Sequence, residues 1–537
     1  MDRHILSACA LLLVIGSSSI AQSPIQNGEE HWPMASGPYG TWATETEESI
    51  PLAWSVSTGN NVRWKTTLPE GGQSGIAVWG ERLFLTINKP LPLGTSLAEA
   101  EGSDIIGYCI DSNTGEILWT VEIPSPKTMP YSGLFSDNTS ATPITDGKHV
   151  WFINHGGLMI CCTVDGNEVW RKSFESRTRH NAKQSEPMLV GGQLLFVMMR
   201  SPDDPLRRPM RAEAGIRNTP PEHWPWTFIR AFEASTGKAL WIESSGTSIH
   251  NTPRLGYVDD EAFLFHARGG GHQPPETPYG FSMTHASGKN AGAELWSHHS
   301  NKVVAYTVSH FDEEHAYGFD EGDVIKLDTR SGKVIDAYSV FEKADIRVWN
   351  ASTKAYELRE DAPFSTVIEK FKKEPTNQTP ILVGKYFLFL THEGHCIGRV
   401  NTETGKTDFL QVPMQVVRKL EQEDETLWSR HIPSDGRNSR GIKTANDKRS
   451  ERDGWGHVTV GSPIGVNEYV YFSTMIGMTY VVDSQQEVFN EAALIAINDL
   501  GPAGSTWSLS SPSFADGKLF HRGLKHIVCI GPDDSKR

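Results

Sequence analysis

A short phrase recurs along the chain at blade-sized intervals and limits what it can fold into. It reads Asp111-Ser-Asn-Thr-Gly-Glu-Ile-Leu-Trp119, Val164-Asp-Gly-Asn-Glu-Val-Trp170 and Glu233-Ala-Ser-Thr-Gly-Lys-Ala-Leu-Trp241. Weaker copies run from Ala286-Ser-Gly288 to Trp296 and at Asp328-Thr-Arg-Ser-Gly-Lys333 and Asn401-Thr-Glu-Thr-Gly-Lys406. Asp or Asn followed by Gly supplies the left-handed backbone of a tight hairpin turn, and the Trp opens the outgoing strand. A phrase of this kind repeated with loop insertions is the signature of a propeller.

A second phrase alternates with the first: a small or polar residue, usually Pro, an apolar pair, a Gly turn, and three or four more strand residues. Copies run from Ser140 to Phe152, Ser185 to Phe196, Gln378 to Phe389, Gly461 to Phe472 and Ser511 to Phe520, with a Pro-less version at Ser74 to Leu85 and a looser one at Asn251 to Phe265. Each reads as two antiparallel strands, with Pro tolerated where the first begins. The two phrases together make one four-stranded blade.

This count gives seven units, the fifth (about Val303 to Lys333) degenerate, and an eighth at Ser511 to Ile530 that has no closing Trp phrase. Asn61-Val-Arg-Trp-Lys65 reads as the missing outgoing strand, supplied from the other end of the chain to close the ring and remove its edges. The expectation is an all-β fold, a single β-propeller of eight four-stranded blades with seven as the alternative, closed by an N-terminal strand completing the last blade. Three stretches break the rhythm and read as loops: Ser201 to Trp226, Ser339 to Glu374 with helical character around Val367 to Lys373, and Val417 to Gly454, whose Asn438 to Asp453 half is expected to be mobile.

At 537 residues the chain exceeds one ordinary core but suits a fold that grows by adding blades. A formal net charge of −15 argues against a nucleic-acid partner. Arg3 and His4, the apolar run Ala8 to Ile15 and Ser19-Ile-Ala21 before Gln22 read as an export signal. Residues 1–21 are therefore expected to be a signal peptide, 22–60 an N-terminal extension, 61–531 the propeller and 532–537 a polar tail. Cys9 stands at the start of the apolar run rather than after it, so no lipid anchor is expected, and no later segment is expected to span a membrane. The expected location is periplasmic or extracellular. The five remaining cysteines, Cys109, Cys161, Cys162, Cys396 and Cys529, are too few for a disulfide scaffold, and no C-x-x-C-H run offers a site for covalent haem.

The Asp-x-x-Thr-Gly-x-x-x-Trp phrase resembles the repeat of PQQ-type quinoprotein propellers, a family that includes alcohol dehydrogenases and outer-membrane assembly lipoproteins. Trp32-Pro33, Gly37-Pro38, Gly40 and Asn61-Val-Arg-Trp-Lys65 are similar to the start of secreted PQQ-like repeat proteins. The resemblance covers roughly residues 30 to 531 and implies that the Trp packs between blades. Against a working dehydrogenase, no haem motif is present, and no Asp/Glu/Asn set matches the family's calcium ligands and catalytic Asp. The adjacent Cys161-Cys162 is similar to the vicinal disulfide that such enzymes stack on the quinone. It lies just before the Asp165-Gly166 turn, however, where two thiols on a strand point to opposite faces.

Residues leading into the inner strands should converge on the channel mouth. These are Asp137-Asn138, Arg179-His180-Asn181 with Lys183 and Gln184, Ser248 to Asn251, Asn377-Gln378, Trp455-Gly456-His457 and Trp507-Ser508, with Tyr306 and His310 in the fifth unit. Asn138, Arg179, Lys183, Gln184, Asn251, His310, Asn377, Trp455 and Trp507 are the candidate ligand-binding residues. His180, His250 and His457 are candidates for a metal site or for acid/base catalysis, and alternatively cap strands. Three functions remain open. One is a binding or scaffold module for a protein or polysaccharide partner, without a cofactor. The second is a propeller enzyme, either a PQQ- and calcium-dependent alcohol or sugar dehydrogenase or a His-centred polysaccharide lyase, with PQQ and calcium or a divalent metal as the alternative cofactors. The third, an assembly factor at the outer membrane, resembles the lipoprotein branch of the family, and the lack of a lipid-attachment cysteine counts against it.

Overall fold

The computed structural model describes residues 30–92, 104–126, 137–174, 185–199, 227–248, 251–268, 279–301, 308–368, 376, 378–391, 393–437 and 461–532. They form eight blades, most of four antiparallel strands, and contain no α-helix. The inner strands are Ala77–Trp79, Ile144–Thr145, Met188–Val190, Arg254–Val258, Val308–Phe311, Ile381–Val383, Ile464–Val466 and Ser513–Ala515, defining blades 1 to 8. The expected closure is present. Val62–Thr67 pairs antiparallel with His526–Ile530 as the outer strand of blade 8.

The recurring phrase has a physical role at every joint it serves. The outer-strand Trp of one blade packs on a turn glycine of the next, and its indole N–H donates to a nearby carbonyl. Trp119 of blade 1 lies against Gly166, where a Cβ would sit 2.9 Å from its ring, and bonds the Val164 carbonyl at 3.0 Å. Trp170 meets Gly237 and the Ala234 carbonyl, and Trp296 meets Gly332 and the Thr329 carbonyl. Trp64 of the closing strand does the same to Gly115 and the Ser112 carbonyl. At the next joint Tyr338 takes the place of Trp, against Gly405 with its hydroxyl on the Thr402 carbonyl. Blade 4 departs from the sequence reading: Trp241 docks on Gly292, and Gly288 has no close neighbour beyond Glu261.

Two joints are built differently. Between blades 6 and 7, buried Arg399 pairs with Asp408 at 2.8 Å, stacks over Tyr386 and Phe489, and donates to the Ser484 carbonyl. Between blades 7 and 8, the segment preceding the closing strand is wedged in. Trp54 N–H bonds the Asn498 side chain, Val56 N–H bonds the Asp499 carbonyl, and Tyr471 donates to the Pro51 carbonyl.

The Ser339 to Glu374 stretch, read from sequence as a loop, contains two strands, and its residues 369–374 lie outside the described residues. Ala344–Asn350 and Ala355–Ala362 form a hairpin whose first strand runs parallel to Thr407–Gln411, widening blade 6 to six strands. Its signal was masked because it does not carry the Gly–Trp phrase. In the Val417 to Gly454 stretch, Gln415–Val417 pairs with Glu425–Leu427. The Ser201 to Trp226 loop and the Asn438 to Asp453 half lie outside the described residues.

The joints give a direct test. Gly237 (φ +68°) and Gly192 (φ +75°) both hold left-handed backbone, but a Cβ at Gly237 would lie 2.7 Å from Trp170 whereas Gly192 faces open space. Both Ala variants pay a backbone cost of about 1–2 kcal/mol. Gly237→Ala is expected to lose about 1–3 kcal/mol more than Gly192→Ala in urea unfolding, because only there does the neighbour have to move.

Candidate functional site

The starts of the inner strands are tied blade to blade around the channel by one repeated contact. Gly75 N–H donates to Thr142 Oγ1 at 2.8 Å, Thr142 N–H to Glu186 Oε2 at 2.8 Å, and Glu186 N–H to Thr252 Oγ1 at 3.0 Å. Ser462 and Thr379 hydroxyls meet at 3.2 Å on the far side. Glu186 is the carboxylate in a series otherwise of small or hydroxyl residues, and loss of solvation pushes it up to about 7.

The ring is not empty at its centre. His31 pairs with Trp79 of blade 1, the Pro33 carbonyl accepts from Thr145 N–H of blade 2, and Ala43–Thr44 lies parallel on Ile464–Val466 of blade 7. Between these anchors Gly40 passes blade 4 so closely that a Cβ would be 2.7 Å from Leu255 Cβ. Residues 31–44 thus cross the channel, with Trp32, Met34 and Trp42 buried in it. Both ends of this segment lie at the face where each inner strand turns into its neighbour.

Arg254 opens the inner strand of blade 4 and is 1% exposed. Its guanidinium lies 5.3 Å from the Trp42 ring centroid, and Nη2 donates to the Pro380 carbonyl of blade 6 at 3.3 Å. Reaching from blade 4 to blade 6 past blade 5 places this cation inside the ring. Half-buried His310 of blade 5 feels that charge, and loss of solvation with Arg254 pushes its imidazole down to about 4.

The sequence candidates divide. Asn138 and Asn251 are buried and engaged in the wall: the Asn138 carbonyl accepts from His155 N–H, and Asn251 Oδ1 accepts from Ala267 N–H at 3.2 Å. His310 stands beside Arg254, and Trp507 is buried with its indole N–H unpartnered. His180, His250, His457, Arg179, Lys183, Gln184, Asn377 and Trp455 lie outside the described residues. Sequence reasoning missed Arg254 and Trp42. The signal for Arg254 was present: the residue after Pro is Ile144, Met188, Ile381 and Ile464 in other copies, and Arg only here.

The vicinal cysteines sit in the third strand of blade 2, away from the channel. Cys161 enters the core with Met34 and Trp151, and Cys162 the separate core with Phe84 and Phe152. Burial pushes both thiols up, to about 12 and about 11.

Comparison with known proteins follows the same lines. A family model described as outer membrane protein assembly factor BamB matches residues 15–197 and 102–272. The sequence matches none of the curated proteins. Among solved structures, a europium-containing methanol dehydrogenase aligns with a TM-score of 0.52 at 11% identity, over 92% of this chain and 89% of that one. BamB from Moraxella catarrhalis aligns at 0.43 and 9% identity over 88% and 98%, and quinohemoprotein alcohol dehydrogenase from Comamonas testosteroni at 0.48 and 11% over 94% and 81%. The chain is an eight-bladed β-propeller whose first half is similar to that family model, and its likeness to the methanol dehydrogenase is one of fold.

A quinone held with a metal would need clustered ligands. Among the described residues, no three His, Cys, Asp or Glu side chains gather as such a set, and Cys161 and Cys162 do not face the channel.

Burial sets the acid response of the fold. It pushes His266 down to about 3 and His310, His521 and His526 down to about 4, from 6.5, and Glu186 and Glu243 up to about 7, from 4.5. Between those two reference values the unfolded chain takes protons at four histidines that the folded chain keeps neutral. Among the described residues, the folded chain holds protons at two carboxylates, Glu186 and Glu243, that the unfolded chain releases. The histidine contribution is complete above 6.5 and is lost as pH falls toward 4, so stability falls on acidification. The urea midpoint at pH 5 is expected to lie below that at pH 6.5; an equal or higher midpoint would contradict this.

Proposed function

We propose that this propeller is a binding or scaffold module for a protein partner, engaged through the hairpin added to blade 6. The observation that carries the reading is the edge this hairpin presents. Ala355–Ala362 is the outermost strand of a six-stranded sheet, and most of its residues are exposed, Leu358 among them at 44%. An open eight-residue edge is a liability that folds usually blunt, and it is also the surface on which an extended partner segment adds a strand. The hairpin is held rigidly for such a role. Trp349 stacks on Trp428 with ring centroids 4.5 Å apart and 2° between planes, and Tyr356 packs edge-on against both. The matched family, described as an outer membrane protein assembly factor, supports a partner of this kind. Reading residues 1–21 as an export signal, we place the encounter outside the cytoplasm.

The enzyme alternatives have less to stand on. The dehydrogenase likeness is one of fold at 11% identity, and a lyase would need His180, His250 and His457, which lie outside the described residues.

Site-directed photocrosslinking in the native cell tests the proposal. A photoreactive residue at Leu358 is expected to give one discrete protein adduct, and one at Val169 on the outer strand of blade 2 to give none. Equal adducts at both positions would contradict it. So would saturable quenching of tryptophan fluorescence by PQQ with calcium, which would favour the quinone-dependent enzyme instead.

A further inference from the structure

Among the described residues, Arg254 is a buried charge without a counter-charge. The hydrogen bond it makes to them is the 3.3 Å contact to the Pro380 carbonyl, Nε and Nη1 reach no acceptor among them, and none of their carboxylates acts on it. A guanidinium taken out of water normally acquires a carboxylate partner, because an unpaired buried ion is among the most costly groups a fold can hold. Buried Arg399 is matched by Asp408 at 2.8 Å, and buried Arg522 donates to the Ser74 and Thr86 carbonyls. Arg254 has neither arrangement, and it lies inside the ring.

The surroundings are short of acceptors in the same way. Trp42 Nε1, next to the guanidinium, has no acceptor, and neither have Gln73 Nε2 and Trp507 Nε1 at the starts of blades 1 and 8. His310 Nδ1 is also unpartnered. Trp42 is held at φ +64°, a left-handed conformation that a bulky side chain seldom adopts. That strain sets the indole against the guanidinium. The segment carrying Trp42 crosses the channel beside this cation.

We propose that the channel binds a small oxyanion, the carboxylate or phosphate group of a small molecule, held by Arg254 Nε and Nη1 against Trp42. Charge-assisted bonds from a guanidinium suit both anions. The site is separate from the blade 6 edge, so it stands or falls independently of the protein-partner reading.

The test is a titration of the full chain with succinate and with inorganic phosphate, at ionic strength held constant with potassium chloride. Tryptophan fluorescence and the thermal midpoint are followed together. The wild type is expected to respond saturably to one or both anions, and which one identifies the ligand's anionic group. Arg254→Met is expected to weaken that response at least about tenfold, the scale of a lost charge-assisted bond. It should unfold at or above the wild-type midpoint without ligand, since it removes an unpaired buried charge. Absence of a saturable response to either anion overturns the proposal, as does an equal response in Arg254→Met or a large fall in its ligand-free midpoint. Should the variant not fold, hydrogen exchange on the wild type decides. Anion-dependent protection in residues 31–44 and 253–256 is expected, and protection confined elsewhere overturns the proposal.

Discussion

An indole packed on a bare glycine backbone is what holds one blade to the next. The contact needs two things at once: a glycine, because any Cβ at Gly166, Gly237 or Gly332 would enter the ring of Trp119, Trp170 or Trp296, and a left-handed turn, which those glycines also supply. The indole N–H then satisfies a carbonyl in the same turn, so a polar group at the joint is not left without a partner. Because the turn is fixed by the same residue that receives the Trp, hairpin geometry and blade packing are specified together. Each blade can therefore diverge in its loops while the ring keeps its pitch.

Where that contact is missing, the chain substitutes chemistry of another kind, and the substitutions organise the centre of the molecule. Arg399 replaces the indole between blades 6 and 7. Residues 51–57 fill the joint between blades 7 and 8, which requires the N-terminal segment to reach that side of the ring. Its route from blade 1 to blade 7 lies across the channel. Trp42 is carried onto Arg254 as a consequence of that crossing. Closure of the ring and the composition of its centre are thus two results of one path.

The blades were legible in the sequence because the Gly–Trp phrase and the Pro-led strand pair are local patterns, and so was the closing strand at Val62–Thr67. The hairpin at Ala344–Ala362 was not, because it pairs parallel to an outer strand without the turn chemistry that marked the others. The site was only half legible. Trp507 followed from its place before an inner strand, whereas His310, read from the same stretch of the fifth unit, lies within the strand Val308–Phe311. Arg254 was visible as a charge in an apolar position, but its meaning depended on Trp42 and Pro380, two residues brought to it by long-range closure. Asn138 and Asn251 show the converse, since polar residues at a strand start also serve the wall itself.

The most direct test of the account is a double-mutant cycle between Trp119 and Gly166, using Trp119→Ala, Gly166→Ala and the pair, each measured by urea unfolding. If the Cβ at position 166 is harmful chiefly because the indole occupies its place, the double variant costs less than the sum of the singles, by about 1 kcal/mol or more. Additivity within about 0.5 kcal/mol would mean that the glycine serves only its own turn, and that the blades are held together by something other than the indole contact.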